Sequence, residues 1–126
     1  MANMSFAKTI NQFQNKTKTV TRRLGWKNIK LGVVHTGVEK GQGLKKGEHP
    51  VEIGKFIPID SRWEPLRRMT DDPVYGKAEV ILEGFPDMTP DEFVAMFCKM
   101  NKCTPDKMVN RIEITYPGIP PAEERR

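Results

Sequence analysis

At 126 residues, with 37% apolar and 29% charged side chains, the chain suffices for one domain with a modest core and is too apolar for a disordered polyelectrolyte. The net charge of +5 and the pI near 9.3 favour polyanionic partners, and no apolar run approaches the ~20 residues that cross a bilayer, so no membrane partner is expected. Residues 1–6 show no basic stretch followed by an apolar one, which leaves cytoplasmic residence as the expectation.

In chain order, Phe6, Ile10 and Phe13 recur at i, i+4 and i+7 and predict a short amphipathic helix that ends near Asn15. Residues 16–23 then crowd two lysines, three threonines and two arginines around a single valine. Four cations this close repel one another unless something anionic lies between them, and interleaved hydroxyls add neutral donors and acceptors. Phosphate, carboxylate or a polar base edge suits that mixture; an exposed basic edge strand is the plainer reading. Leu24, Gly25 and Trp26 close the segment, and Trp26 is read either as core or as a stacking surface.

Residues 31–38 predict a strand, with Val34, Thr36 and Val38 on one face, leading into the glycine-rich loop 39–47. No Gly-Lys-Ser/Thr follows an apolar strand there, so a phosphate-cradling loop is rejected, although Lys40, Lys45 and Lys46 extend the basic surface. Val51, Ile53, Ile57 and Ile59 predict a second strand, and Pro65 marks a turn into a short helix. Arg62, Arg67 and Arg68 either widen the positive surface or pair with Glu64, Asp71 and Asp72. Ala78, Ile81, Leu82 and Phe85 give a helical stripe that ends at Glu83. An acid at a helix exit opposes the dipole, so Glu83 asks for a basic partner, which residues 16–23 would supply.

Thr89-Pro90-Asp91-Glu92 reads as a capping box opening a helix with Phe93, Met96, Phe97 and Met100 on its core face. Cys98 and Cys103 lie five apart near its exit. With only His35 and His49 elsewhere they make no metal-ligand spacing, and reduced thiols are expected. Ile112, Ile114 and Tyr116 alternate as a last strand, and residues 117–126 are expected to form a flexible tail behind a single domain over 1–116.

The pieces Lys18-Thr19-Val20-Thr21-Arg22-Arg23, Arg62-Trp63-Glu64-Pro65-Leu66, Glu83-Gly84-Phe85-Pro86 and Val109-Asn110-Arg111-Ile112 resemble, in that order, the ASCH domain family, most closely its bacteriophage and prophage versions. The resemblance implies an α+β fold, a small PUA-like β-barrel flanked by short helices, and no cofactor. Against the family signature Gly-x-Lys-x-x-Glu-x-Arg, Lys18 and Arg23 match, Lys16 stands at the glycine position and Thr21 at the glutamate position. The threonine variant is that of small ASCH amidohydrolases acting on N4-acetylcytidine. By that resemblance Lys18, Thr21 and Glu83 are the catalytic candidates. Lys16, Thr19, Arg22, Arg23, Trp26, Arg62 and Glu64 are the candidates for holding substrate.

The chemistry is coherent on its own. Thr21 attacks an amide carbonyl if Lys18, made less basic by burial and nearby cations, takes its proton. Glu83 orients Lys18 or protonates the leaving amine, and Arg23 holds the developing oxyanion. The alternatives are a non-catalytic module for RNA or a modified nucleotide, a ribonuclease, and a surface for a protein partner.

Overall fold

The computed structural model describes residues 3–40, 47 and 49–119. Nine elements follow in order: β1 (Asn3–Ser5), α1 (Ile10–Gln14), β2 (Val20–Arg23), β3 (His35–Val38), β4 (Glu52–Pro65), α2 (Arg68–Asp71), α3 (Pro73–Leu82), α4 (Pro90–Asn101) and β5 (Met108–Thr115). Lys45, Lys46 and the greater part of the expected tail lie outside the described residues. Within 117–119, Ile119 donates its N–H to the Tyr116 carbonyl and packs on the core.

The strands form one mixed sheet in the order β1-β3-β4-β5-β2, with β1 and β3 parallel and the other neighbours antiparallel. This corrects the expected β-barrel: the fold is α+β, but the sheet stays open. Closure needs a ladder between β1 and β2, yet β1 is three residues long and its pairing is with β3. Between the two edges runs a side-chain bond instead, from Arg23 Nη2 to the Ser5 carbonyl at 2.7 Å.

β4 makes this sheet possible by serving two neighbours in turn. Its first half pairs with β3 (His35 opposite Phe56), and its second half pairs with β5 from Ile57 to Pro65. The strand therefore runs six residues past the expected end at Ile59. Pro65 is tolerated because that stretch has β5 on one side and, among the described residues, no strand on the other. The expected strand over 31–38 shrinks to His35–Val38, and Leu31, Val33 and Val34 sit exposed in the loop before it. Likewise Phe6 is not helical. It follows β1 and packs its ring 4.4 Å from that of Phe13.

Two apolar clusters flank the sheet. One gathers Met4, Phe6, Phe13, Phe56, Ile112, Ile114 and Tyr116, and the other gathers Leu66, Met69, Val80, Phe93, Val94, Phe97 and Val109. Gly37 and Gly54 let Phe13 lie flat on the sheet, since a Cβ at Gly37 would stand 2.4 Å from the Phe13 ring. α4 carries the expected capping box: Thr89 Oγ1 accepts from the Glu92 N–H while the Glu92 carboxylate accepts from the Thr89 N–H. In α3 the face is rotated from the expected stripe. Gly76, Glu79 and Val80 are buried and Ile81 is half exposed, so the helix turns a carboxylate inward.

Candidate functional site

The route to the site starts where α1 ends. Lys16 takes the left-handed conformation (φ 63°), and the N–H groups of Thr17 and Lys18 both donate to the Gln12 carbonyl, which turns the chain sharply into β2. The Thr19 N–H donates to the Leu82 carbonyl at 2.8 Å and the Thr19 carbonyl accepts from Ile114. Lys18 is thereby pressed against the exit of α3. Its own carbonyl accepts from the Tyr116 hydroxyl.

Glu83 caps α3 and is held by the turn behind it. Gly84 has φ 99°, its carbonyl accepts from Gln12 Nε2 at 3.0 Å, and an added Cβ would meet the Gln12 side chain at 3.1 Å. Gly84→Ala is therefore expected to cost about 1–2 kcal/mol, the penalty for an L side chain in this backbone region. A denaturant melt checks that cost, and Glu83 should lose its alignment with Lys18 in the same variant.

Lys18 Nζ donates to the Glu83 carbonyl oxygen at 2.7 Å and to Glu83 Oε1 at 3.1 Å, with both side chains about 4% exposed. Glu83 Oε2 accepts from Arg22 Nη1 at 3.0 Å. On the other parity of β2, Thr21 is buried and its Oγ1 accepts from Arg23 Nε at 3.0 Å, while the Arg23 guanidinium stacks 5.1 Å from the Phe6 ring. Because β2 is an edge strand, side chains of both parities reach one cavity of about 170 Å³. Lys18, Thr21, Arg22, Arg23 and Glu83 belong to its polar lining, and Phe6, Phe85, Phe93, Met96, Phe97 and Met100 to its apolar one. The cavity sits where the two core clusters meet.

The electrostatics are uneven. Burial lowers the Lys18 ammonium from 10.5; Glu83 opposes that shift, and the Arg23 and Arg22 charges add to it. Burial also brings Arg23 down to about 10, only partly offset by Glu83. Arg22 is also buried, but the carboxylates of Glu83 and Glu79 outweigh the desolvation and raise it.

Arg22 is thus a structural cation rather than a free hand for substrate. Its Nη2 donates to Glu64 Oε2 at 3.2 Å, to the Tyr75 hydroxyl at 3.2 Å, and to Glu79 Oε1. Arg111 in β5, directly opposite Arg22, grips Glu79 with Nε and Nη2. Glu64 accepts further from Arg62, Arg68 and the Tyr75 hydroxyl. Against the cost of burial these donors hold Glu79 at about 2 and keep Glu64 below its ordinary value, Tyr75 leading for Glu64 and Arg111 for Glu79.

Of the ten sequence candidates, Lys18, Thr21, Arg22, Arg23 and Glu83 meet at the cavity. Thr19 contributes backbone. Glu64 and Arg62 belong to the ion network, with Arg62 exposed. Lys16 lies exposed on a separate groove beside Phe13 and Ile53, and Trp26 lines a different cavity. Glu79 and Tyr75 were not singled out in the sequence, and the aromatic wall was read only as core. A signal existed for Glu79: it stands four residues before Glu83, on the same helix face.

Among the described residues, no group of three or more His, Cys, Asp or Glu is placed to hold a metal ion, and no helix is long and apolar enough to cross a membrane. Cys98 and Cys103 are free thiols. Compared with family models, with curated proteins and with solved structures, the chain matches none.

Proposed function

We propose that the chain hydrolyses a small amide, the N-acyl group on a nucleobase of the N4-acetylcytosine type, with Thr21 as nucleophile and Lys18 as base. The observation that carries this reading is the environment of Lys18 Nζ. A neutral amine has two N–H bonds, and the Glu83 carbonyl and carboxylate accept two. The nitrogen lone pair is then left to take a proton, and Lys18 and Thr21 line the same cavity. Burial favours that neutral form. The likeness of residues 16–23 to the ASCH amidohydrolase motif supports the same roles.

Thr21 Oγ1 accepts from Arg23, so its own O–H is free to point into the cavity. Oγ1 attacks the acyl carbon, and the hydroxyl proton passes to Lys18, directly or through one water. The resulting ammonium is stabilised by Glu83. Arg23 faces the oxyanion. Collapse expels the amine, which takes the proton from Lys18 and leaves an acyl-Thr21 ester. Water, deprotonated by Lys18, then attacks that ester, releases the carboxylic acid and returns the proton to Thr21. The sum is amide plus water to acid plus amine.

The cavity of about 170 Å³ limits what reacts. It falls below the ~300–1,000 Å³ of sites that engulf drug-sized ligands, so it suits an acyl group and a base ring with the sugar outside. The aromatic wall offers the ring its stacking face.

The test is hydrolysis of N4-acetylcytidine, followed as release of acetate and cytidine. Thr21→Val keeps the shape and removes the nucleophile, and is expected to lower kcat to the background rate. Wild-type turnover that survives this substitution excludes Thr21 as nucleophile. A folded wild-type protein that turns over no N-acyl nucleoside overturns the reading.

A further inference from the structure

A second cavity, about 480 Å³, lies in the β2–β3 connection and shares no lining residue with the first. Four independent features converge on it. Trp26 lines it with a half-buried indole and holds a left-handed backbone (φ 64°). That strained turn is kept by bonds to the Trp26 carbonyl from Ile29 N at 3.0 Å and from Asn110 Nδ2 at 3.2 Å. Non-glycine residues held this way cluster at ligand clamps.

Second, His35 lines the cavity and is only 4% exposed, with its ring stacked 5.5 Å from that of Phe56. Its Nε2 lies 3.2 Å from the Lys30 carbonyl, which can only accept, so Nε2 carries a proton. Nδ1 is buried and finds no partner among the described residues. Third, Lys27 and Lys30 sit on the rim and, among the described residues, no acid lines the cavity. Fourth, Ile29 and Val33 supply apolar walls.

We infer that this cavity binds a nucleoside 5′-phosphate, with the base stacked on Trp26, the phosphate between Lys27 and Lys30, and the buried His35 ring backing the base. Its volume lies within the ~300–1,000 Å³ of ligand sites. Aromatic stacking beside lysines gives a ring and a phosphate their separate partners, and neither a bare anion nor an apolar ligand would use both. The same chemistry is offered by a free mononucleotide and by the 5′ end of a single strand.

The chain has two tryptophans, Trp26 and Trp63. In a Trp63→Phe protein the indole fluorescence therefore reports Trp26 alone. Saturable quenching by AMP or CMP is expected, weakened roughly tenfold or more by the double substitution Lys27→Ala/Lys30→Ala and by use of adenosine or cytidine. A 5′-phosphorylated tetraribonucleotide that binds tighter than the mononucleotide assigns the strand end as ligand; equal affinity assigns the free nucleotide. Absence of saturable quenching in the folded protein overturns the inference, as does affinity unchanged by removal of both lysines. If Trp63→Phe does not fold, titration calorimetry on the wild type and the double-lysine variant reads the same quantities.

Discussion

Lys18→Met is expected to abolish amide hydrolysis while leaving the folded protein about as stable as before. The loss in kcat/KM should be at least ~10²–10⁴-fold, the usual contribution of a positioned base. Stability should move little because the substitution removes a buried amine whose charged form desolvation disfavours and inserts an apolar chain of similar length. Glu83 is not stranded, since Arg22 Nη1 still donates to its Oε2.

The pH behaviour separates this from a packing effect. Lys18 titrates lower in the folded chain than its ordinary 10.5. Between the lowered value and 10.5 the unfolded state binds more protons than the folded one. Stability of the wild type therefore gains with rising pH across that window, and below it the cost of burying the cation is fully present. Lys18→Met should lose this contribution. The acid limb of wild-type kcat/KM should report the Lys18 ionisation. Glu83→Gln, which removes the charge that raises Lys18, should shift that limb to lower pH. A limb that stays in place with Glu83→Gln means that another group is the base.

Glu79→Ala is expected to produce the largest loss of stability, about 3–5 kcal/mol, the usual cost of breaking a buried ion pair from one side. Glu79 is 3% exposed and binds two guanidinium groups that face each other across β2 and β5. Without it, among the described residues, Arg111 keeps Glu113 alone, at 3.4 Å, while Arg22 keeps Glu64 and Glu83. A thermal melt should fall by roughly 10–20 °C. The wild type should show the same dependence on acid. Glu79 sits at about 2 against an ordinary 4.5. Its contribution is complete above 4.5 and is lost as pH falls through about 2. A Glu79→Ala protein with an unchanged melting temperature would show that Arg22 and Arg111 find sufficient partners without it.

Much of the helical framework was legible locally. Thr89, Pro90 and Glu92 specify a helix start by side-chain bonds spanning three residues, and α4 begins there. The demand of Glu83 for a basic partner was also legible, because a charge at a helix exit is a local conflict whatever the fold. The structure answers it with Lys18 and Arg22. The phase of α3 was not legible: Glu79 reads as a surface residue until two arginines from strands far along the chain are placed over it.

Residues 16–23 show the limit most clearly. Their composition favoured an anionic neighbour, and a motif resemblance singled out Lys18, Thr21 and Arg23. Neither said which cations would be consumed by the fold. Arg22 is tied up by three glutamates, Lys16 turns to solvent, and Trp26 faces another cavity. Whether the sheet would close was equally undetermined, since strand patterns record which residues can pair and not which edges meet. Local sequence determined helix starts, strand-forming segments and charge density, because those depend on neighbours within a few residues. Tertiary structure alone decided the open sheet, the buried ion network and the pairing of Lys18 with Glu83, because each depends on contacts between segments tens of residues apart.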